Sequence, residues 1–177
     1  MILKIAIVVA ILLAGVLIFA AMKPDLFQIE RSVSIKASPE KIFALINDFH
    51  NWGQWASQDK EDPTMKRTFS GSASGVGAVS EWSSTGSAGT GRMTIVESAP
   101  SNTVGVLVDF VKPFETHNMN RFLLEPAGET TKVTWRLQGS NLYVMKLMSV
   151  FVDMDKMAGK HFEKGLSNLK QIAEQSQ

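Results

Sequence analysis

Residues 154–173 read MDKMAGKHFEKGLSNLKQIA. Apolar and small side chains recur along this stretch at helical spacing, while lysines and glutamates occupy the rest of the helical wheel. A helix of this length has to bury its apolar stripe, and a sheet is the only other large apolar surface that the chain offers. We therefore predict a long C-terminal helix that lies across a sheet. The predicted stripe consists of Met154, Met157, Ala158, His161, Phe162, Gly165, Leu166, Leu169, Ile172 and Ala173.

The sheet is predicted from the alternation of side chains further upstream. Phe27–Lys36 alternates apolar and polar residues, as a half-buried strand does, with Arg31 as the one misfit on its apolar side. Residues 65–138 contain six further strand-like segments, and glycines and serines mark the turns in the first half of this region. The last segment, around Trp135, has the clearest alternation of apolar and polar residues in the chain.

Two short helices are predicted between the first strand and the other six. Ser38 has the side chain of an N-cap, and Pro39 suits the first helical position that follows it. Residues 49–55 form a second short helix or turn in this interpretation. The predicted order is therefore one strand, two short helices, six strands and one long helix.

This order of elements resembles the helix-grip (START-like, SRPBCC) superfamily, in its polyketide cyclase/dehydrase-like branch, over about residues 28–174. The resemblance implies an α+β fold in which a seven-stranded antiparallel curved sheet wraps around the long C-terminal helix. It also implies a cavity between sheet and helix, which in relatives holds lipids, sterols, polyketides or other apolar molecules. It implies no particular reaction. The stretches that carry the resemblance are IKASPEKIF (35–43), NDFHNWGQW (47–55), TKVTW (131–135) and GKHFEKGLSNLK (159–170).

The N-terminal segment predicts a membrane anchor. Residues 5–22 read IAIVVAILLAGVLIFAAM, without a charged or strongly polar side chain. Eighteen helical residues span about 27 Å, which is close to the thickness of the hydrocarbon core of a bilayer. The alternative is a cleaved secretory signal, but its apolar core is shorter, and Phe19 and Met22 fit its cleavage pattern poorly.

The anchor divides the chain into two regions. Residues 1–25 are the N-terminal transmembrane helix with its short linker, and residues 26–177 are the globular domain. We predict a single-pass protein of a bacterial inner membrane, with the bilayer as a partner of the domain. Lys4 and Lys23 flank the span on opposite sides, so charge does not decide which side of the membrane carries the domain.

The composition excludes several classes of function. The chain has 18 Lys and Arg against 17 Asp and Glu, with no strong excess of positive charge. This balance argues against nucleic acid as a partner. The chain contains no cysteine, and its three histidines lack the spacing of metal ligands. We therefore predict neither a metal nor a cofactor, and we assign no catalytic residue.

The candidate ligand-binding residues are those expected to face the cavity. Asn118 and Asn120 share a strand face with Phe122 and Leu124, where they either orient a ligand or bond to neighbouring loops. His161 lies at the edge of the helical stripe and is either a ligand contact or a histidine that borders the core. The full set is Trp52, Trp55, Trp82, Met93, Val106, Val108, Phe110, Asn118, Asn120, Phe122, Trp135, Met157, His161 and Phe162.

Three functions are compatible with these patterns. The first is a membrane-tethered binding domain for a lipid or other apolar small molecule. The second is a polyketide cyclase/dehydrase-like enzyme, in which His161 or the asparagine pair would polarise a carbonyl group. The third is an interaction module of a cell-envelope complex, with a solid interior. The sequence favours the first, because it combines a tether, a short linker and the cavity implied by the resemblance.

Overall fold

A computed structural model describes residues 1–56, 62–86, 88–112 and 115–175. Seven antiparallel strands form one sheet in the order β1-β7-β6-β5-β4-β3-β2, so the first and last strands are neighbours. This arrangement confirms the predicted α+β fold and the predicted number of strands. The strands are β1 (Leu26–Ile35), β2 (Lys66–Gly71), β3 (Ala78–Ser83), β4 (Thr90–Ala99), β5 (Thr103–Lys112), β6 (Thr116–Ala127) and β7 (Thr130–Ser140).

The helices follow the predicted order, with one addition. The side chain of Ser38 accepts a hydrogen bond from the Lys41 amide and caps the second helix, as predicted. A short helix between β7 and the C-terminal helix was not predicted from the sequence. The helices are α1 (Ile2–Ala21), α2 (Pro39–Ile46), α3 (Trp52–Trp55), α4 (Tyr143–Met148) and α5 (Met154–Gln175), and a 3₁₀ turn (Phe49–Asn51) precedes α3.

The long helix α5 lies against β1 and β7 with a narrower buried face than predicted. Its buried residues include Gly159, Phe162 and Leu169, whereas Met157 and His161 are exposed. On a helix that turns about 100° per residue, His161 lies about 100° and Met157 about 140° from Phe162. The prediction that these two side chains face the cavity is therefore wrong.

The ion pairs of Arg31 explain why this charged residue lies on the apolar side of β1. Its guanidinium group lies 2.8 Å from both Asp155 Oδ2 and Glu163 Oε1, which are eight residues, or about two turns, apart on α5. Gly159 lies between those two residues, and a Cβ at this position would overlap the guanidinium group. Arg31 therefore links β1 to the N-terminal half of α5 with two ion pairs.

The apolar helix α1 projects from this domain with its side chains largely exposed. Within the described residues, it is the one helix that is long and apolar enough to cross a membrane. Its last turn contacts α4, where Ala20 is fully buried and the Tyr143 hydroxyl donates to the Leu17 carbonyl at 3.0 Å. The C-terminal end of α1 is therefore packed onto the domain.

We expect the Arg31 link to weaken in acid. The hydrogen bond from Arg31 holds the pKa of the Asp155 carboxyl below its ordinary value. A carboxyl with a lowered pKa in the folded state stabilises the protein at neutral pH, and this contribution is lost as pH falls below about 4. Asp155→Asn should therefore lower the Tm at pH 7 and reduce the drop in Tm between pH 7 and pH 3, measured by circular dichroism. Glu129→Gln, in the β6–β7 turn, should reproduce the wild-type curve; a wild-type curve for Asp155→Asn would contradict the prediction.

Candidate functional site

The interior between the sheet and α5 has two different halves. In the half nearer the C-terminal end of α5, aromatic rings fill the space. Trp135 stacks on Phe162 with ring centroids 4.1 Å apart and an interplanar angle of 4°. The ring of Phe122 also contacts Trp135, with centroids 5.0 Å apart. Trp55 and Trp52 pack edge-on against Phe122 at 6.0 and 5.7 Å. These five rings form a solid aromatic core.

Hydrogen bonds fix the two tryptophans of the α3 region inside this core. The indole of Trp52 donates to the Ile46 carbonyl at 2.8 Å, and the indole of Trp55 donates to the Leu45 carbonyl at 3.1 Å. Asn168, in the C-terminal half of α5, donates to the Trp55 carbonyl. Both indoles are therefore structural. Trp52 and Trp55, which were predicted to face the cavity, are instead buried in this core.

The other half of the interior is open. A cavity of about 790 Å³ lies between the sheet and the N-terminal half of α5, in the size range of small-molecule sites. Phe27, Ile29 and Leu137 line its sheet side, and Ala158 lines its helix side. The connection from α4 to α5 forms the remaining wall with Met145, Ser149, Val150, Phe151, Val152, Asp153 and Met154. The cavity wall is therefore mainly apolar.

Asn118 is the polar group whose bonding is incomplete in this cavity wall. Its side-chain Nδ2 donates to Thr116 Oγ1 at 3.1 Å, and both residues line the cavity. Its Oδ1 is buried without a hydrogen-bond partner, the one such side-chain atom found in the described part of the chain. A buried oxygen without a partner costs about 1–3 kcal/mol. Such a cost is more often found at binding sites than in inert cores.

Most of the remaining predicted residues pack in the core and do not line the cavity. The Asn120 side-chain oxygen accepts a hydrogen bond from the Trp135 indole at 3.0 Å, so it bonds within the core. Trp82 packs edge-on behind Phe110, with ring centroids 5.2 Å apart, and only Phe110 of this pair lines the cavity. Met93, Val106 and Val108 are buried in the same core. Of the predicted set, the structure thus places Phe110 and Asn118 in the cavity wall.

The opposite face of β6, which carries His117 and Arg121, is turned away from the cavity. His117 is exposed, and its Nδ1 lies 2.6 Å from Asp109 Oδ1. This hydrogen bond raises the pKa of His117 above its ordinary value. Arg121, four residues further on and on the same face, pairs with Glu97. These charges lie outside the cavity and stabilise the outer surface of the sheet.

The α4 wall of the cavity was not predicted from the sequence. Residues 142–152 read LYVMKLMSVFV, an apolar run that offered a signal for such a segment. Lys146 is its single charge, and its side chain is buried against Asp25 in an ion pair. The hydrogen bond from Lys146 holds the pKa of Asp25 below its ordinary value. The cation therefore ties α4 to the linker after α1.

The linker completes the rim of the cavity. Lys23 and Pro24 line it, and the Lys23 ammonium group donates to the Ser149 carbonyl at 2.7 Å and to its hydroxyl at 2.8 Å. Asn141 donates to the Pro24 carbonyl at 3.0 Å. The end of α1, the linker and α4 are therefore joined beside the cavity.

Comparison with known proteins gives a family and a fold. A family described as "Polyketide cyclase / dehydrase and lipid transport" matches residues 27–174. No curated protein matches the chain.

Three solved structures illustrate the similarity of fold. The Aha1 dimer from Colwellia psychrerythraea is 24% identical, with 85% of this chain and 98% of that chain covered and a TM-score of 0.56. The KanY protein is 18% identical, with 84% and 97% covered and a TM-score of 0.63. The di-domain ARO/CYC StfQ from the steffimycin biosynthetic pathway is 10% identical, with 84% and 51% covered and a TM-score of 0.60.

We expect Gly139 to be essential for the shape of the cavity wall. A Cβ at this position would overlap Asn118 Oδ1 and lie 2.9 Å from Phe27 Cε1, so both side chains would have to move. Gly139→Ala should therefore lower the free energy of unfolding by about 1–3 kcal/mol. Gly53→Ala is the matched control, because nothing lies within 4 Å of a Cβ there. Urea denaturation measures both, and equal stability of the two variants would contradict the prediction.

Proposed function

Because the chain belongs to the polyketide cyclase/dehydrase and lipid transport family, we propose that it is a membrane-tethered domain that binds a lipid or another apolar small molecule. The ligand lies in the cavity between the sheet and the N-terminal half of α5. The single observation that carries the proposal is this cavity of about 790 Å³, walled by apolar side chains and joined to the end of α1.

The chemistry of the cavity wall supports an amphiphilic ligand. Apolar side chains favour an acyl chain or a ring system, since burying their surface and that of the ligand is favourable. Asn118 and Thr116 supply two adjacent polar groups, and Asn118 has unused hydrogen-bonding capacity. A ligand with one hydroxyl or amide group at the end of an apolar body matches this distribution.

The contacts of α1 support an anchor rather than a cleaved signal. A cleaved signal is removed from the mature protein and needs no contacts with its fold. Here Ala20, in the last turn of α1, is buried, and the Tyr143 hydroxyl of α4 donates to the Leu17 carbonyl. These contacts favour a helix that stays attached to the domain.

The two alternative functions receive less support. A cyclase-like enzyme was predicted to use His161 or the asparagine pair, but His161 is exposed and Asn120 bonds to Trp135. An interaction module was predicted to have a solid interior, whereas the interior beside α4 is open. Binding of an apolar molecule therefore remains the function best supported by the geometry.

Lipid occupancy tests the proposal. The full chain, purified in detergent, is expected to carry lipid that native mass spectrometry and solvent extraction detect. Ala158→Phe should lower that occupancy several-fold because it places a ring in the cavity, whereas Ala44→Phe, on the exposed side of α2, should retain it. Equal thermal stability of the two variants confirms that both are folded. Absence of bound lipid from the wild-type chain, or equal occupancy in both variants, would contradict the proposal.

The fate of α1 is tested separately. An anchor predicts that the chain purified from membranes has the full mass of 19.4 kDa. Cleavage near Ala21 or Met22 would remove the whole apolar helix and release the domain into a soluble fraction. Intact-mass measurement of both fractions distinguishes these outcomes, and a shortened soluble chain would overturn the tether while leaving the cavity intact.

A further inference from the structure

The last turn of α1 sets the depth of α4 relative to a bilayer. The Tyr143 hydroxyl reaches the Leu17 carbonyl, and Leu17 lies four residues before the end of α1. Four helical residues correspond to about 6 Å along the helix axis. When α1 spans a bilayer, Tyr143 therefore lies at the level of the last helical turn, where headgroups meet acyl chains. Tyrosine is enriched at this boundary because it is apolar with a polar tip.

An apolar surface continues from α1 onto α4 and the residues that follow α4. We call residues 143–152, which comprise α4 and the residues after it, the entrance segment. Its side chains Tyr143, Met148 and Phe151 are 48%, 47% and 74% exposed, and Val144 and Val152 are also exposed. Its cation, Lys146, is turned inward onto Asp25. The segment therefore presents apolar side chains beside a membrane helix, which is the arrangement of an interfacial element.

The inner side of the same segment forms part of the cavity wall. Met145, Val150, Phe151 and Val152 all line the cavity, and Phe151 and Val152 are exposed as well. One layer of side chains thus lines the cavity and, at Phe151 and Val152, is also exposed at the surface. The bonds from Lys23 to Ser149 hold this layer next to the end of α1.

We infer that the entrance segment lies in the headgroup–acyl boundary of the bilayer and forms the route by which a membrane lipid passes into the cavity without crossing water. The occupant of this apolar surface is the bilayer itself, because the surface is continuous with α1 and shares its depth. This inference rests on the proposed function, and it adds where the ligand comes from and which residues it passes. Exposed Phe151, at the rim, is the side chain that a lipid would contact first.

Fluorescence quenching tests the position of the segment. The chain contains no cysteine, so one introduced cysteine gives one labelled site. Met148→Cys and Phe151→Cys are labelled with an NBD fluorophore in the full chain, which is reconstituted in phosphatidylcholine vesicles that contain acyl-chain nitroxide lipids. Leu13→Cys reports insertion of α1. Glu129→Cys lies beyond the other end of β7, a strand of 11 residues or about 35 Å.

The expected result is that labels at 148 and 151 are quenched about twofold or more, like the label at 13, while the label at 129 is not. Quenching at 13 alone would overturn the inference and leave the tether intact. If the label at 13 is also unquenched, the tether itself fails. Melting curves of the labelled chains establish that all four are folded.

Photo-crosslinking tests the route into the cavity. Vesicles of phosphatidylcholine with a diazirine in the acyl chain are irradiated in the presence of the full chain, and crosslinked peptides are identified by mass spectrometry. We expect adducts on α1, on the entrance segment and on β1 residues 27–29 of the cavity wall. Ala158→Phe should remove the β1 adducts and keep those on α1. Adducts on α1 and the entrance segment without β1 adducts would overturn the route, and adducts on α1 alone would overturn the whole inference.

Discussion

The stack of Trp135 on Phe162 is the contact on which the rest of the interior depends. It joins β7 to the middle of α5 with two parallel rings 4.1 Å apart, and Gly165 leaves room for the indole because a Cβ there would lie 2.9 Å from its ring. Phe122 and the tryptophans of α3 close around this stack. Large rings therefore fill one half of the space between sheet and helix. In the other half, smaller side chains such as Ala158 face the sheet, and the space stays open.

Two different forces hold α5 in this position. Towards its C-terminal end, the helix is held by burial of Phe162, Leu166 and Leu169, which is not directional. Towards its N-terminal end, it is held by the ion pairs of Arg31 with Asp155 and Glu163, which fix a distance while leaving the interior beside them unfilled. A polar link on the rim and an apolar core further along together allow a helix to span a cavity without collapsing into it.

The sequence predicted the strand count, the helix order and the boundaries of α5 well, because alternation and helical spacing are strong over long elements. It did not predict α4, since six residues are too few to display a period and the one cation, Lys146, folds inward. The position of the cavity was also not predicted from the sequence. Whether an apolar residue fills the core or lines the cavity depends on how side chains from different elements meet α5. Trp55 and Phe110 are both large aromatic residues, yet only Phe110 lines the cavity. Asn118 and Asn120 likewise share a strand face. Only the Asn120 oxygen has a hydrogen-bond donor, the Trp135 indole, within reach.

The bonds between the linker and α4 have a consequence for selectivity. In the proposed membrane-bound state, a domain held by Lys23, Asn141 and Tyr143 at a fixed height would have its cavity rim at one place in a leaflet, where lipids are far more concentrated than any dissolved ligand. Under such conditions a site is occupied even when its affinity is weak, and the identity of the bound molecule is decided by competition. The relevant property of the cavity wall is then the difference in free energy between two lipids, which one polar group such as Asn118 among apolar neighbours is well placed to set.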